Sequence, residues 1–192
     1  MYHIRNNEFE VISLYRGDYT SQFYLRQISK LSKLPLKTCQ NTLASLEHLK
    51  ILKSKIDGKN KYFSLNLENI RAKFSLLHAE IYQTGLFMEK YPPFKLFLKS
   101  IKTTAPLIVF GSFAKGTADK NSDVDLLLVS EREITLPFHL LPFKPHHFNL
   151  TEKTFLKALK EQESLIKEIE LNHIILNNHS FYVNALWSYY GK

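Results

Sequence analysis

Two aspartates separated by one residue, Asp123 and Asp125, open an apolar run that ends at Val129. In an extended strand alternate side chains share a face, so both carboxylates point to the side opposite Val124. Two like charges on one face repel each other unless a cation lies between them. Carboxylate oxygens favour Mg²⁺ or Mn²⁺, and Mg²⁺ usually bridges carboxylates to substrate phosphates. The pair therefore predicts a divalent-metal site that a polyphosphate completes.

A Gly-Ser turn, Gly111 and Ser112, precedes the first aspartate by ten residues and follows the apolar stretch 107–110. Gly111 would let the backbone approach a phosphate closely. Ser112 offers a hydroxyl and an amide at the start of a predicted short helix, where phosphates are favoured. Lys115 lies one turn further on and could offset phosphate charge. This stretch therefore predicts a strand that ends in a phosphate-binding turn.

The stretch "FGSFAKGTADKNSDVDLLLV" resembles the signature of the nucleotidyltransferase superfamily that includes DNA polymerase beta, and most of all its minimal nucleotidyltransferases. The resemblance is close over residues 105–130 and looser beyond them. It implies transfer of a nucleoside monophosphate from a nucleoside triphosphate to an acceptor hydroxyl, with Mg²⁺ or Mn²⁺ as cofactor and pyrophosphate as leaving group. It assigns nucleotide binding to Gly111, Ser112, Lys115 and Ser122, and catalysis and metal binding to Asp123 and Asp125.

A third carboxylate on a later strand is usual in this superfamily, but residues 134–150 contain no Asp or Glu. His139, His147 or Asn149 is a candidate for its place, and Glu133 fits only if the strand begins earlier than its pattern indicates. Losing this group weakens the site for the activating metal. A working transferase and a nucleotide-binding protein without turnover therefore both stay open.

The first third of the chain carries most of the net positive charge. Residues 1–67 contain 11 Lys and Arg against 5 Asp and Glu, whereas residues 68–192 contain 15 against 13. The patterns of the first third predict two helices, a tight turn, a third helix and a hairpin around Gly58. This order resembles the winged helix-turn-helix of prokaryotic transcription regulators over residues 7–66.

The predicted third helix would present short polar side chains to base edges, and the hairpin lysines would contact phosphates. The candidate DNA-binding residues are Lys37, Thr38, Gln40 and Asn41 on the helix and Lys59 and Lys61 on the hairpin. Many winged helices contact proteins or dimerise instead, so DNA is one of two alternatives for this surface.

A long helix is predicted between the two parts, with an apolar stripe that would pack them together. The stripe comprises Ile70, Phe74, Leu77, Ile81 and Phe87. Residues 150–192 read as helical, with a break at 177–179. The predicted domains are a winged helix-turn-helix at 1–67, a helical connector at 68–104, and a nucleotidyltransferase-like domain with C-terminal helices at 105–192.

The expected fold class is α+β: a winged helix-turn-helix plus a small nucleotidyltransferase-fold mixed sheet with flanking helices. No apolar run approaches the roughly 20 residues that a membrane span needs. The single cysteine, Cys39, cannot form an internal disulfide and fits a reducing cytoplasm.

Two functions follow from the sequence. One is a metal-dependent nucleotidyltransferase coupled to a nucleic-acid-binding winged helix, and the other is a nucleotide-sensing DNA-binding regulator with a weak or inactive transferase site. The predicted partners are a nucleoside triphosphate and DNA. Resemblance to the antitoxin-type family members adds a toxin partner, a protein acceptor modified on a hydroxyl side chain; those members are usually shorter and lack a winged helix.

Overall fold

The computed structural model describes residues 6–191 and divides them into two compact units. The first unit contains residues 6–79 and 186–191, and the second is Glu80–Ala185. Residues 1–5 and 192, at the outer ends of the predicted domains, lie outside the described residues. None of the helices within 6–191 combines the length and the apolar character that crossing a membrane requires.

The first unit is built from short helices and a three-stranded antiparallel sheet of order β1-β3-β2. Its elements are α1 (Asn7–Ile12), a 3-10 turn (Ser13–Tyr15), β1 (Phe23–Tyr24), α2 (Leu25–Ser32), α3 (Leu36–His48), β2 (Leu52–Asp57) and β3 (Asn60–Leu65). β2 and β3 form the expected hairpin, in which Asp57 pairs with Asn60 and Gly58 has a φ of 57°.

The buried hydroxyl of Tyr15 ties the helices of the first unit to its sheet. It donates a hydrogen bond of 3.0 Å to the carbonyl of Phe63 on β3. Burial raises the pKa of Tyr15 far above its ordinary value, so the phenol keeps its proton and remains a donor. Val11, Ile28 and Leu43 are buried in the same unit, which gives each of α1, α2 and α3 an inward face.

The second unit contains a four-stranded mixed sheet of order β6-β5-β4-β7. Its strands are β4 (Leu107–Phe110), β5 (Val124–Val129), β6 (Pro145–Leu150) and β7 (Ile174–Asn177). Only the β5–β6 pair is parallel; β4 runs antiparallel to both of its neighbours. The expected α+β fold with a mixed sheet is therefore confirmed.

The remaining elements of the described residues are helical. They are α4 (Ile70–Lys90), α5 (Pro93–Ser100), α6 (Gly111–Lys115), a 3-10 turn (Phe138–Leu140), α7 (Glu152–Glu161), α8 (Ser164–Leu171) and α9 (His179–Tyr190). The division between the two units falls within α4, between Ala79 and Glu80, and within α9, after Ala185.

An aromatic cluster holds α6 against one face of the sheet. Phe113, the third residue of α6, is almost fully buried, and its ring centroid lies 4.7 Å from that of Phe143 and 5.0 Å from that of Tyr91. The strand residues of this core include Val109 and Leu126. Because α6 is only five residues long, this packing rather than helix length fixes where it begins.

The prediction that residues 150–192 are helical is wrong at Ile174–Asn177. These residues form the edge strand β7, in which Ile174 pairs with Val109 and Ile175 with Ile108. A short apolar run between helices is compatible with either a strand or a helix. Here the segment forms a strand because it pairs with the unpaired edge of β4.

The predicted stripe on α4 is also wrong in part. Ile70 and Phe74 are each 55% exposed and Ile81 is 49% exposed. Phe87 is buried as expected, and the other buried positions of α4 are Ala72, Leu76, Ala79, Glu80 and Thr84. Small side chains allow neighbouring elements to approach the helix closely, which a hydrophobicity pattern does not indicate.

Candidate functional site

Gly111 lies so close to the side chain of Asp125 that a Cβ would not fit between them. Phe110 pairs with Asp125 across β4 and β5, so the chain turns into α6 directly beside the carboxylate. Gly111 has a φ of 66°, and a Cβ at this position would overlap Oδ2 of Asp125. Only glycine at position 111 meets both conditions, because it tolerates a positive φ and has no side chain. The turn and the carboxylate therefore depend on each other.

Ser112 follows in the first turn of α6 and is half-buried. Its carbonyl accepts hydrogen bonds of 3.0 Å and 3.1 Å from the amides of Thr117 and Ala118, which closes the turn after α6. Within the described part of the chain, the hydroxyl of Ser112 has no hydrogen-bond partner. It is therefore available to a ligand beside Gly111.

Each of the two aspartates lies next to a positively charged or ionisable side chain. Oδ2 of Asp123, just before β5, is 3.6 Å from Nζ of Lys144. Oδ1 of Asp125 is 3.2 Å from Nδ1 of His146. The lysine and histidine side chains are 81% and 60% exposed, and exposed pairs of this kind contribute at most about 1 kcal/mol to stability. These contacts therefore affect the electrostatics of the site but contribute little to the stability of the fold.

The residue beside Asp125 on β6 is His146, which is not among the candidates His139, His147 and Asn149 for the place of the third carboxylate. β5 and β6 are parallel and in register, with Asp125 beside His146 and Leu126 beside His147. Side chains in register share a face, so His147 points away from the carboxylate. Asn149 pairs with Leu128 and points the same way as His147.

The remaining two candidates for the third position lie outside the sheet. His139 is in the 3-10 turn Phe138–Leu140, and Glu133 is in the segment that follows the far end of β5. The sequence shows the pair His146–His147 but not the strand register. Only the parallel pairing with β5 identifies which of the two histidines faces Asp125.

Lys115 and Ser122 each contact another residue of the second unit. Nζ of Lys115 is 3.0 Å from Oε1 of Glu168 on α8. The hydroxyl of Ser122 donates to Oδ1 of Asp119 at 3.1 Å and accepts from its amide at 3.0 Å. Ser122 therefore stabilises the loop that precedes Asp123. Lys115 would have to break its contact with Glu168 to reach a phosphate.

Two lysines near the site were not predicted. Lys144 lies beside Asp123, as described above, and directly precedes β6. Nζ of Lys90 donates a hydrogen bond of 2.7 Å to the carbonyl of Gly116, at the C-terminal end of α6. Lys90 is distant in sequence from the motif, and nothing in the sequence pattern indicates its position.

The residues fit one divalent ion that shares its coordination with a phosphate. No group of three or more His, Cys, Asp or Glu side chains within residues 6–191 is arranged to hold a metal ion. Mg²⁺ is commonly bound through one or two carboxylates plus substrate phosphates, so the oxygens of Asp123 and Asp125 are a suitable donor set. Because the described site has no third carboxylate, its protein oxygens do not provide a binding position for a second ion.

The candidate DNA-binding residues of the first unit lie at different places on its surface. Gln40, Lys59 and Lys61 line one groove of about 820 Å³ between α2, α3 and the hairpin. Asn41 lines a different hollow, beside α1. Lys37 is exposed and Thr38 is half-buried near the start of α3.

Lys61 is held by α3 rather than extended into solvent. Its Nζ donates a hydrogen bond of 2.7 Å to Oε2 of Glu47, and the hydroxyl of Ser54 donates to Oε1. Chiefly through Lys61, and then through Ser54, these bonds hold the pKa of Glu47 below its usual range. Their stabilising effect is present above the unfolded-state pKa and is lost as the pH falls through the lower folded-state value.

Comparison with known families supports the motif in the second unit. Residues 94–177 match the family model described as a nucleotidyltransferase domain. The matched segment runs from α5 to the end of β7 and contains Gly111, Asp125 and His146, but it covers less than half of the chain. Nothing among the curated proteins or the solved structures matches the chain.

The contact at Gly111 predicts a ranked series of Gly→Ala variants. Gly85→Ala, in open space within α4, should be neutral or stabilising by about 0.5–1 kcal/mol. Gly58→Ala, with positive φ but no neighbour within 4 Å, should cost about 1 kcal/mol. Gly111→Ala should cost clearly more than Gly58→Ala, because it adds overlap with Asp125 to the same backbone strain.

The free energy of unfolding, measured by denaturant titration followed by circular dichroism, checks this order. A Gly111→Ala variant no less stable than Gly58→Ala would show that the turn does not press against the carboxylate.

Proposed function

We propose that the second unit binds a nucleoside triphosphate with a divalent cation and transfers the nucleoside monophosphate to an acceptor hydroxyl. The main support for this proposal is the close approach of Gly111 to Asp125, which places a backbone turn without a side chain next to a carboxylate. The family match over residues 94–177 supports nucleotidyl transfer in general terms.

The roles of the residues follow from their chemistry. Gly111 presents a backbone without a side chain, and the free hydroxyl of Ser112 donates to a phosphate oxygen. Asp123 and Asp125 hold Mg²⁺ or Mn²⁺, which when bound offsets negative charge that develops at the α-phosphate. Asp123 exchanges its contact with Lys144 for the ion, and this exposed pair is weak enough to give way.

The proposed transfer forms one bond and breaks one. The acceptor oxygen bonds to the α-phosphorus, the bond from that phosphorus to the α–β bridging oxygen breaks, and pyrophosphate leaves with the bonding electrons. The hydroxyl proton passes to solvent. The acceptor belongs to a protein or a small molecule; resemblance to the antitoxin-type family members favours a toxin protein modified on a hydroxyl side chain.

A nucleotide-sensing regulator without turnover is the second candidate. It is favoured by the lack of a carboxylate in residues 134–150, where the side chain in register with Asp125 is that of His146. In this alternative the site binds the triphosphate and its ion, and occupancy alters nucleic-acid binding by the first unit without forming a product.

We further propose that the first unit is a winged helix that contacts nucleic acid. Its element order and its sheet order β1-β3-β2 are typical of that fold. The exposed side chains of Lys37, Gln40 and Asn41 on α3 are suited to base edges and phosphates, and Lys59 at the hairpin turn is suited to phosphates.

Replacing the carboxylate that contacts Gly111 should remove metal-dependent nucleotide binding. Asp125→Asn should weaken Mg²⁺-dependent binding of ATP at least tenfold, on the order of 1.4 kcal/mol, because the amide cannot neutralise the ion. Isothermal titration calorimetry measures the affinity, and a radiolabelled nucleotide-transfer assay on the same samples measures product. Glu133→Gln, which changes an exposed carboxylate beyond the far end of β5, is the matched control.

The outcomes separate the candidates. Binding with product supports the transferase, and binding without product supports the regulator. Equal ATP affinity in wild type and Asp125→Asn would rule out both.

Lysine replacements in the first unit should lower the salt dependence of DNA binding. Lys37→Ala and Lys59→Ala should each weaken binding to random duplex DNA and reduce the slope of log K against log salt by about 1. Fluorescence anisotropy over a salt series measures both quantities. Lys167→Ala removes an equal charge from an exposed position on α8 and should leave the slope unchanged. Binding that does not respond to salt, or an equal effect of Lys167→Ala, would contradict DNA contact by this surface.

A further inference from the structure

We propose that His146 is a ligand of the divalent ion and that its imidazole nitrogen makes the site prefer Mn²⁺ over Mg²⁺. This inference rests on the proposed function, because it concerns the ion that would bind at Asp125. It assigns a role in metal selection to a residue that the superfamily signature does not include.

The sheet places His146 where it can share an ion with Asp125. β6 lies parallel to β5 with Asp125 and His146 directly in register, so both side chains project from the same face. Nδ1 of His146 is 3.2 Å from Oδ1 of Asp125. A ring nitrogen and a carboxylate oxygen therefore lie side by side at the place where the metal would bind. In the neutral tautomer that carries its proton on Nε2, the lone pair of Nδ1 is available to an ion.

The imidazole ring is positioned by few other groups. Its centroid lies 4.7 Å from that of Phe148, which is two residues further along the same face of β6. Phe148 in turn lies 5.8 Å from Phe110, the residue that precedes Gly111. Within the described residues, Nε2 of His146 has no hydrogen-bond partner. The ring is thus supported on one side by an aromatic residue and is otherwise directed only at Asp125.

The exchange of a carboxylate for an imidazole changes which ion the site prefers. Mg²⁺ demands oxygen ligands in nearly ideal octahedral geometry and gives up its water reluctantly. Imidazole nitrogen suits transition-metal ions better than it suits Mg²⁺, and carboxylate and phosphate oxygens also suit Mn²⁺. A set made of Asp125, His146 and phosphate oxygens therefore favours Mn²⁺.

No three His, Cys, Asp or Glu side chains within residues 6–191 are arranged to hold a metal ion, so an ion at Asp125 and His146 would need phosphate oxygens to complete its coordination. Asp125 and His146 already lie side by side, whereas Asp123 faces Lys144 at 3.6 Å and would join them by exchanging that contact for the ion. If His146 merely donated a hydrogen bond to Asp125, it would orient the carboxylate without distinguishing between the two ions. Ion preference and direct nitrogen coordination are therefore the two properties to measure.

The test uses the full chain with Mn²⁺ and a non-hydrolysable ATP analogue labelled with ¹⁵N in its base. Pulsed electron paramagnetic resonance detects ¹⁴N coordinated to Mn²⁺, and the label removes the signal of the base. We expect ¹⁴N modulation in the wild type and none in His146→Asp or His146→Gln. His147→Asp, the adjacent histidine on the opposite face of β6, is the matched control and should retain the modulation.

Competition titrations with Mg²⁺ on the same proteins give the second readout. The ratio of Mn²⁺ to Mg²⁺ affinity should fall at least tenfold in His146→Asp, in line with roughly 10–100-fold effects of groups around metal sites. The ratio should not change in His147→Asp.

Wild-type protein that binds Mn²⁺ and the analogue without ¹⁴N modulation, and with an affinity ratio unchanged by His146→Asp, would overturn the inference while leaving the proposed function in place. Wild-type protein that binds neither ion nor analogue would overturn both.

Discussion

The approach of the Gly111 backbone to the Asp125 carboxylate is the constraint on which the second unit depends. It requires a residue without a side chain at positive φ, and it requires β4 and β5 to pair so that the turn lies beside the charge. Burial of Phe113 fixes the short helix that follows. The core, the turn and the carboxylate therefore adjoin one another in the second unit.

Charge balance around the aspartates follows from the order of the sheet. Because β6 is parallel to β5 and in register with it, Lys144 and His146 arrive beside Asp123 and Asp125. The ammonium group of Lys144 offsets part of the negative charge of Asp123 when no ion is bound. Both contacts are exposed and weak, so they can be exchanged for an ion and a triphosphate without loss of the fold. The same surroundings distinguish this site from one built with three carboxylates.

The sequence pointed to Gly111 and the two aspartates because glycine and paired acids at a strand end have few purely structural explanations. The structure brings Gly111 and Asp125 together, and their role as a nucleotide site stays a prediction. His146 could not be selected over His147, since the choice depends on strand register, a long-range property. Residues 174–177 were assigned to a helix because a four-residue apolar run does not reveal the open edge of β4.

A crystal structure with Mn²⁺ and a non-hydrolysable nucleoside triphosphate would show whether the turn at Gly111 and the Asp125 carboxylate together bind a nucleotide and its ion. We expect anomalous scattering from an ion bound to Asp125, with the triphosphate against the turn at Gly111 and Ser112. An ion and a nucleotide bound elsewhere, or a carboxylate that still contacts only His146 at saturating ligand, would contradict this expectation.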